Sequence, residues 1–127
     1  MNEVIIADKA PKAVGPYSQA VRANVSEMLF CSGQLPLDPA TNAIVDGSPA
    51  GQAGQVMKNL EAVVRAGGFA MSDVVKTTIY LTDLAYFAEI NTVYESFFQG
   101  CFPVRCTVQV SALPKGALVE IDAIASR

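Results

Sequence analysis

The sequence predicts an α+β fold in a single domain spanning residues 1–127. Three observations lead there. Two stretches carry helical apolar periodicity, four to five runs carry strand character, and the elements follow one another without a linker, repeat or low-complexity tract. A chain of 127 residues with a 51% hydrophobic fraction can bury a core unaided, so bulk disorder is excluded.

The elements follow in order. Val4 to Ala7 is a short apolar run, stopped by Lys9-Ala10-Pro11. Gly15-Pro16 signals a loop, and Ser18 to Ala23 has strand character. Glu27 to Gly33 (EMLFCSG) reads as a buried strand. Gln34 to Pro49, rich in Pro, Asp, Asn and Gly, is a long connection with a brief extended piece at Ala43 to Val45. Ser48-Pro49 is an N-cap followed by proline in the first helical turn. Behind it Val56, Leu60, Val63 and Val64 recur on one helical face, and Gly67-Gly68 ends the helix.

Val74 to Leu81 (VVKTTIYL), dense in β-branched residues, is predicted as a central strand. Thr82 or Asp83 caps a second helix with Phe87, Ile90, Tyr94, Phe97 and Phe98 on its apolar face, broken by Gly100 and Pro103. Val104 to Ser111 alternates, placing Val104, Cys106, Val108 and Val110 on one face and Arg105, Thr107 and Gln109 on the other. That pattern predicts Cys106 in the core. Leu113-Pro114-Lys115-Gly116 is a turn, and Leu118 to Ala125 is the last strand, predicted to pair with 104–111 as a hairpin. Two helices can cover only one face of such a sheet. Charged residues make up only 17%, which also suggests surface buried against another copy.

Composition excludes much chemistry. The chain has no histidine, so Ser-His-Asp and Cys-His catalysis, paired-histidine RNA cleavage and imidazole zinc sites are ruled out. Net charge is -3 and the basic residues are scattered, unlike a nucleic-acid footprint. Cys31, Cys101 and Cys106 form no C-x-x-C pair, and all three read as buried small hydrophobes rather than nucleophiles. Reduced thiols, with neither a secretory signal nor a membrane-spanning run, predict a cytoplasmic protein.

Arg105 is the most informative residue. Inside an otherwise apolar strand it either ends an edge strand with a structural ion pair or binds an anion, its planar fork of donors matching a carboxylate. Glu120, across the expected hairpin, is either its salt-bridge partner or a carboxylate that holds a water. Asp122, two residues on and on the same face, competes for that role. Tyr17 follows a loop able to set a phenol at a pocket mouth. Ser32-Gly33 ends a strand where a glycine marks close approach of a ligand or a bulge.

Several ordered segments resemble the Rid family, the reactive intermediate deaminases also called YjgF or L-PSP. They are GPYSQAV (Gly15 to Val21), CSGQLP (Cys31 to Pro36), the helix Gln52 to Gly68, VVKTTIYLTDL (Val74 to Leu84), YESFF (Tyr94 to Phe98), FPVR (Phe102 to Arg105) and LPKGALVEIDAIA (Leu113 to Ala125). The likeness covers nearly the whole chain and looks closest to the RidA-type branch. It implies a chorismate-mutase-like fold of the bacillary type, a mixed sheet with two helices on one face. It also implies a homotrimer with clefts between subunits, and no metal or organic cofactor. The implied activity is hydrolysis of C=N bonds in 2-imino acids, such as 2-iminobutanoate and 2-iminopropanoate, released by pyridoxal-phosphate enzymes. By the same resemblance Arg105 binds the substrate carboxylate and the catalytic glutamate falls on Glu120. Tyr17, Ser32, Gly33 and Thr107 line the site, with Thr107 standing where relatives often carry cysteine. The Gln99-Gly100-Cys101 connection is shorter than in many relatives, so a cleft-lining loop is expected to differ.

Hydrolysing a protonated imine requires an anion anchor, a positioned water and a proton acceptor, because the iminium carbon is already electrophilic. Arg105 and Glu120 supply these, with Glu120 expected to be a weak base until the substrate carboxylate neutralises Arg105. Three alternatives remain: an endoribonuclease or translation inhibitor, a non-catalytic regulatory trimer that binds 2-oxo acids, and a deaminase of larger, 2-aminomuconate-like enamines.

Overall fold

The computed structural model describes residues 2–45 and 47–127. Met1, and Asp46 within the predicted 34–49 connection, lie outside the described residues. Strand β1 (Glu3–Ile5) pairs antiparallel with β2 (Ala20–Arg22) as a separate two-stranded ribbon. The main sheet contains β3 (Met28–Gln34), β4 (Val74–Leu81), β5 (Val104–Gln109) and β6 (Val119–Ser126), in the order β3-β6-β4-β5. Helices α1 (Pro49–Ala66) and α2 (Phe87–Glu95) cover one of its faces. Among the described residues, no helix is long and apolar enough to cross a membrane.

Local signals explain most of these elements. The Ser48 side chain accepts from the Gly51 amide, and Pro49 sits in the first turn of α1, where its missing N–H costs nothing. Beyond the helix, Gly68 takes the left-handed conformation, with φ +81°. The Asp83 carboxylate accepts from the Ala85 amide and caps a short 3-10 turn, Leu84–Tyr86, that runs into α2. Helix α2 ends at Glu95, before the predicted Gly100 break. Phe98 still packs on Tyr94, with ring centroids 4.9 Å apart.

The sheet is mixed because β4 and β5 run parallel while β6 is antiparallel to both β4 and β3. The expected hairpin of residues 104–111 with 118–125 does not form. Strand β4 lies between β5 and β6. Parallel strands need a long crossover, and the segment carrying α2 is that crossover. The 3-10 turn at Pro114–Gly116 then carries the chain past the end of β4 to its other edge.

Register fixes which side chains meet the helices. Thr77, Ile79 and Leu81 pair with Ala123, Ile121 and Val119, and all six are buried beneath Val56, Met57, Leu60, Val64, Ile90 and Tyr94. Each large aliphatic side chain so buried contributes roughly 1.5–3 kcal/mol. Arg105 and Thr107 pair with Thr77 and Ile79, so they too face the helices. Cys106 is therefore exposed on the opposite face with Val108, contrary to the expectation of a core cysteine. Cys101 is exposed as well, and only Cys31 is the buried thiol expected, with burial pushing its pKa up. The face away from the helices carries Phe30, 69% exposed, with Met28 at 47% and Val108 at 41%. Alternation alone misassigned β5 because its apolar side, with Val104, Cys106 and Val108, faces away from the helices, while Arg105 and Thr107 face them.

Candidate active site

Arg105 lies on edge strand β5 and projects under α2. Its guanidinium donates to Asn91 Oδ1 at 2.7 Å. It sits over the rings of Tyr94, Tyr17 and Phe87, 5.2, 5.4 and 5.4 Å from their centroids. The Tyr94 hydroxyl shares a 2.7 Å hydrogen bond with Thr77, and burial pushes its pKa up to about 12, so it stays neutral beside the cation. Burial draws the Arg105 pKa down, but a guanidinium remains charged. The chain has four arginines. Arg22, Arg65 and Arg127 each pair with a glutamate, and Arg105 has no carboxylate partner among the described residues. The ion-pair reading of Arg105 is thereby set aside: a half-buried cation is held in place with donor capacity to spare.

Tyr17 is brought to the guanidinium by the Gly15-Pro16 turn, in which the Tyr17 amide donates to Gly15 O at 2.8 Å. The next residue, Ser18, ties this loop to the start of β5, its hydroxyl donating to Phe102 O at 2.5 Å and its amide to Pro103 O at 3.1 Å. Thr107 shares the helix-side face with Arg105, and its buried hydroxyl oxygen has no hydrogen-bond partner among the described residues. Tyr17 also lines a cavity of about 550 Å³, bordered by Lys12, Gly100, Cys101 and Phe102. The short 99–101 connection thus lines a cavity adjoining Tyr17.

Glu120 is elsewhere. It pairs with Tyr80, whose own neighbour on β5 is Val108, so it occupies the open face of the sheet. From Arg105 it is two strands across and three residues along, about 10 Å in each direction, with the sheet between the side chains. Its close neighbour is Gly33. Strand β3 bulges between Cys31 and Gln34, and a Cβ on Gly33 would overlap the Glu120 carboxylate, with Glu120 Cγ only 3.1 Å away. Ser32 is exposed in the same bulge. Asp122 stands next to Glu120 on the open face and accepts from the Tyr80 hydroxyl at 2.9 Å.

The six predicted site residues therefore fall into two groups: Arg105, Tyr17 and Thr107 on the helix side, and Glu120, Gly33 and Ser32 on the open side. The Glu120 pKa lies above the ordinary carboxylate value, through burial first and then repulsion from Asp122. Arg105 of the same chain, on the other side of the sheet, does not reach it. Sequence reasoning missed Asn91, Phe87 and Tyr94 as the arginine's holders. Asn91 sits four residues after Phe87 and three before Tyr94, so a polar interruption in the apolar stripe of α2 was the available signal. Among the described residues no group of three or more Cys, Asp or Glu side chains is clustered to hold a metal ion.

The fold and these groups define a small α+β protein with an anchored cation and a separate carboxylate. A family model described as Endoribonuclease L-PSP matches residues 7–127. The chain is 57% identical over 123 residues to Protein DfrA of Myxococcus xanthus, across 97% of this chain and 94% of that one. It is 45% identical over 125 residues to the 2-iminobutanoate/2-iminopropanoate deaminase of Mus musculus, across 98% of this chain and 91% of that one. The solved structure of RidA from the Antarctic bacterium Psychrobacter sp. PAMC 21119 matches with a TM-score of 0.77 at 45% identity, covering 98% of this chain and 99% of that one. The chain belongs to the Rid family, also called YjgF/L-PSP.

Proposed function

We propose that this protein is a 2-imino acid deaminase, hydrolysing imines such as 2-iminobutanoate and 2-iminopropanoate to 2-oxo acids and ammonia. The observation that carries the reading is Arg105, a guanidinium without a carboxylate, oriented by Asn91 and enclosed by three aromatic rings. That geometry suits a small carboxylate, which the rings desolvate while the planar fork donates two hydrogen bonds. The mouse relative's name gives the same substrate class.

In this reading the substrate carboxylate sits on Arg105 and water adds to the iminium carbon. Glu120 takes a proton from that water and returns it to nitrogen. The C–N bond of the carbinolamine then breaks, its electron pair leaving with ammonia, while Glu120 accepts the hydroxyl proton and the ketone forms. A raised pKa makes Glu120 a stronger base than an ordinary carboxylate. Tyr17, Ser32, Gly33 and Thr107 line the site.

The reaction needs both groups at one carbon, yet within one chain the sheet separates them. A homotrimer of the chorismate-mutase-like type resolves this, each cleft combining Arg105 of one copy with Glu120 of the next. The exposed Phe30, Met28 and Val108 favour such an assembly, as do the free outer edges of β3 and β5. In this proposal residues 1–127 form one Rid-type domain that acts in the cytoplasm, beside the pyridoxal-phosphate enzymes that release its substrates. RNA cleavage is less well supported by a chain with no histidine and a net charge of -3.

The test generates 2-iminobutanoate in place with a threonine dehydratase and traps residual imine with semicarbazide. Wild type should speed imine loss and Arg105→Ala should not. A wild type that leaves the imine lifetime unchanged overturns the reading.

A further inference from the structure

The open face of the sheet holds a second carboxylate that the proposed reaction leaves unused. Glu120 and Asp122 are two residues apart on β6, with side chains on the same face. Tyr80 on β4 is the direct cross-strand partner of Glu120, and Thr78 is that of Asp122. The Tyr80 hydroxyl nevertheless reaches diagonally past Glu120 to Asp122 Oδ2, 2.9 Å away. On the other flank the β3 bulge brings Gly33 against the Glu120 carboxylate. Glu120 thus stands between an uncharged backbone wall and an acid fixed by a phenol.

The charged groups on this face are few. Strand β3 contributes the uncharged Ser32 and Gly33, β6 contributes Asp122, and β4 contributes Tyr80 and, further along, Lys76, which pairs with Ile124. Lys76 forms no ion pair among the described residues. Within one chain Asp122 is therefore the charge that Glu120 meets, and in the proposed cleft Glu120 also faces Arg105 of the next copy.

We propose that Tyr80 and Asp122 are positioning residues for Glu120: the phenol fixes the Asp122 carboxylate beside it, so that the proton leaving the attacking water goes to Glu120. The inference rests on the deaminase reading and adds to it the device that keeps the general base basic. Two neighbouring carboxylates share protons as a pair, and the one bearing the stronger donor is the one that stays ionised. Here the donor is on Asp122. The Tyr80 pKa is raised, chiefly by this hydrogen bond, so the phenol keeps the proton it donates.

The test follows the carboxyl signal of Glu120 by carbon-13 NMR titration of glutamate-labelled protein, assigned by its loss in Glu120→Gln. Wild type, Asp122→Asn and Tyr80→Phe are compared, alongside the pH profile of imine loss for each. Asp122→Asn should move the Glu120 midpoint and the acid limb of kcat to lower pH. The plateau rate should fall roughly two- to fivefold, as a weaker base requires. Tyr80→Phe should move both in the same direction by less. A residue that merely supports the sheet would lower activity or stability at every pH and leave the midpoint in place. A Glu120 midpoint unmoved in folded Asp122→Asn overturns this inference, whatever the turnover. Absence of imine loss in wild type overturns the deaminase reading, whatever the titration.

Discussion

Arg105 and Glu120 stand in opposite environments on one sheet. Around Arg105 everything needed to hold the side chain comes from within the chain: Asn91 accepts its hydrogen bond, three rings surround it, and α2 closes over the strand. Around Glu120 the chain supplies a floor, with Gly33 on one side and the Tyr80–Asp122 pair on the other. The first region encloses its charged group, and the second leaves its own on an open face. The contrast suggests how a 127-residue chain with few charges can hold an uncompensated cation and two adjacent acids without their cancelling. The sheet keeps them apart within one chain.

The contrast can be broken most strongly at the anchor. Arg105→Ala should lower kcat/KM at least about 100-fold, because two charge-assisted hydrogen bonds to the substrate carboxylate are lost together. A loss under about threefold in steady-state assays would show that the carboxylate binds elsewhere. Next comes the base. Gly33→Ala places a Cβ where the Glu120 carboxylate lies and should displace it, lowering kcat about tenfold while leaving oxo-acid binding intact. Calorimetry with 2-oxobutanoate, compared with turnover, separates the two effects, and equal losses in both would contradict the division into two regions. A milder change tests the orientation of the anchor. Asn91→Ala frees one side of the guanidinium and should raise KM about three- to tenfold with kcat nearly constant.

The smallest expected effect is on stability. Folding raises the proton affinity of Glu120, so between its ordinary pKa of 4.5 and its raised folded value the native state binds more protons than the unfolded one. Stability therefore falls as pH climbs through that window, and the deficit persists above it. Glu120→Gln should remove this dependence, giving a higher Tm than wild type at neutral pH and no such advantage below the window. A Tm difference that ignores pH would mean that the carboxylate is not strained by its surroundings.

Much of the fold was legible in the sequence, because local chemistry dictates it. Ser48-Pro49 starts α1, Gly68 takes the left-handed turn after it, and the VVKTTIYL strand is central. The pairing of β5 was not legible. Alternation in residues 104–111 is equally compatible with a hairpin to β6 and a parallel ladder to β4, and the choice depends on where α2 carries the chain. That error placed Arg105 beside Glu120, and Cys106 was misplaced separately, by taking the apolar side of β5 as the core side. Arg105, Tyr17 and Gly33 could each be singled out by residue type and local context. The aromatic enclosure of Arg105 could not, because its members come from the loop at Tyr17 and from α2, brought together only by packing.

The central claim is that each cleft takes Arg105 from one copy and Glu120 from another. Arg105→Ala and Glu120→Gln chains, each inactive alone, can be mixed in equal amounts and assembled together by coexpression or joint refolding. If the cleft spans two copies, roughly a quarter of the clefts regain both residues, and imine hydrolysis should return to about that fraction of wild type. Mixed assemblies that stay as inactive as either parent would contradict the account.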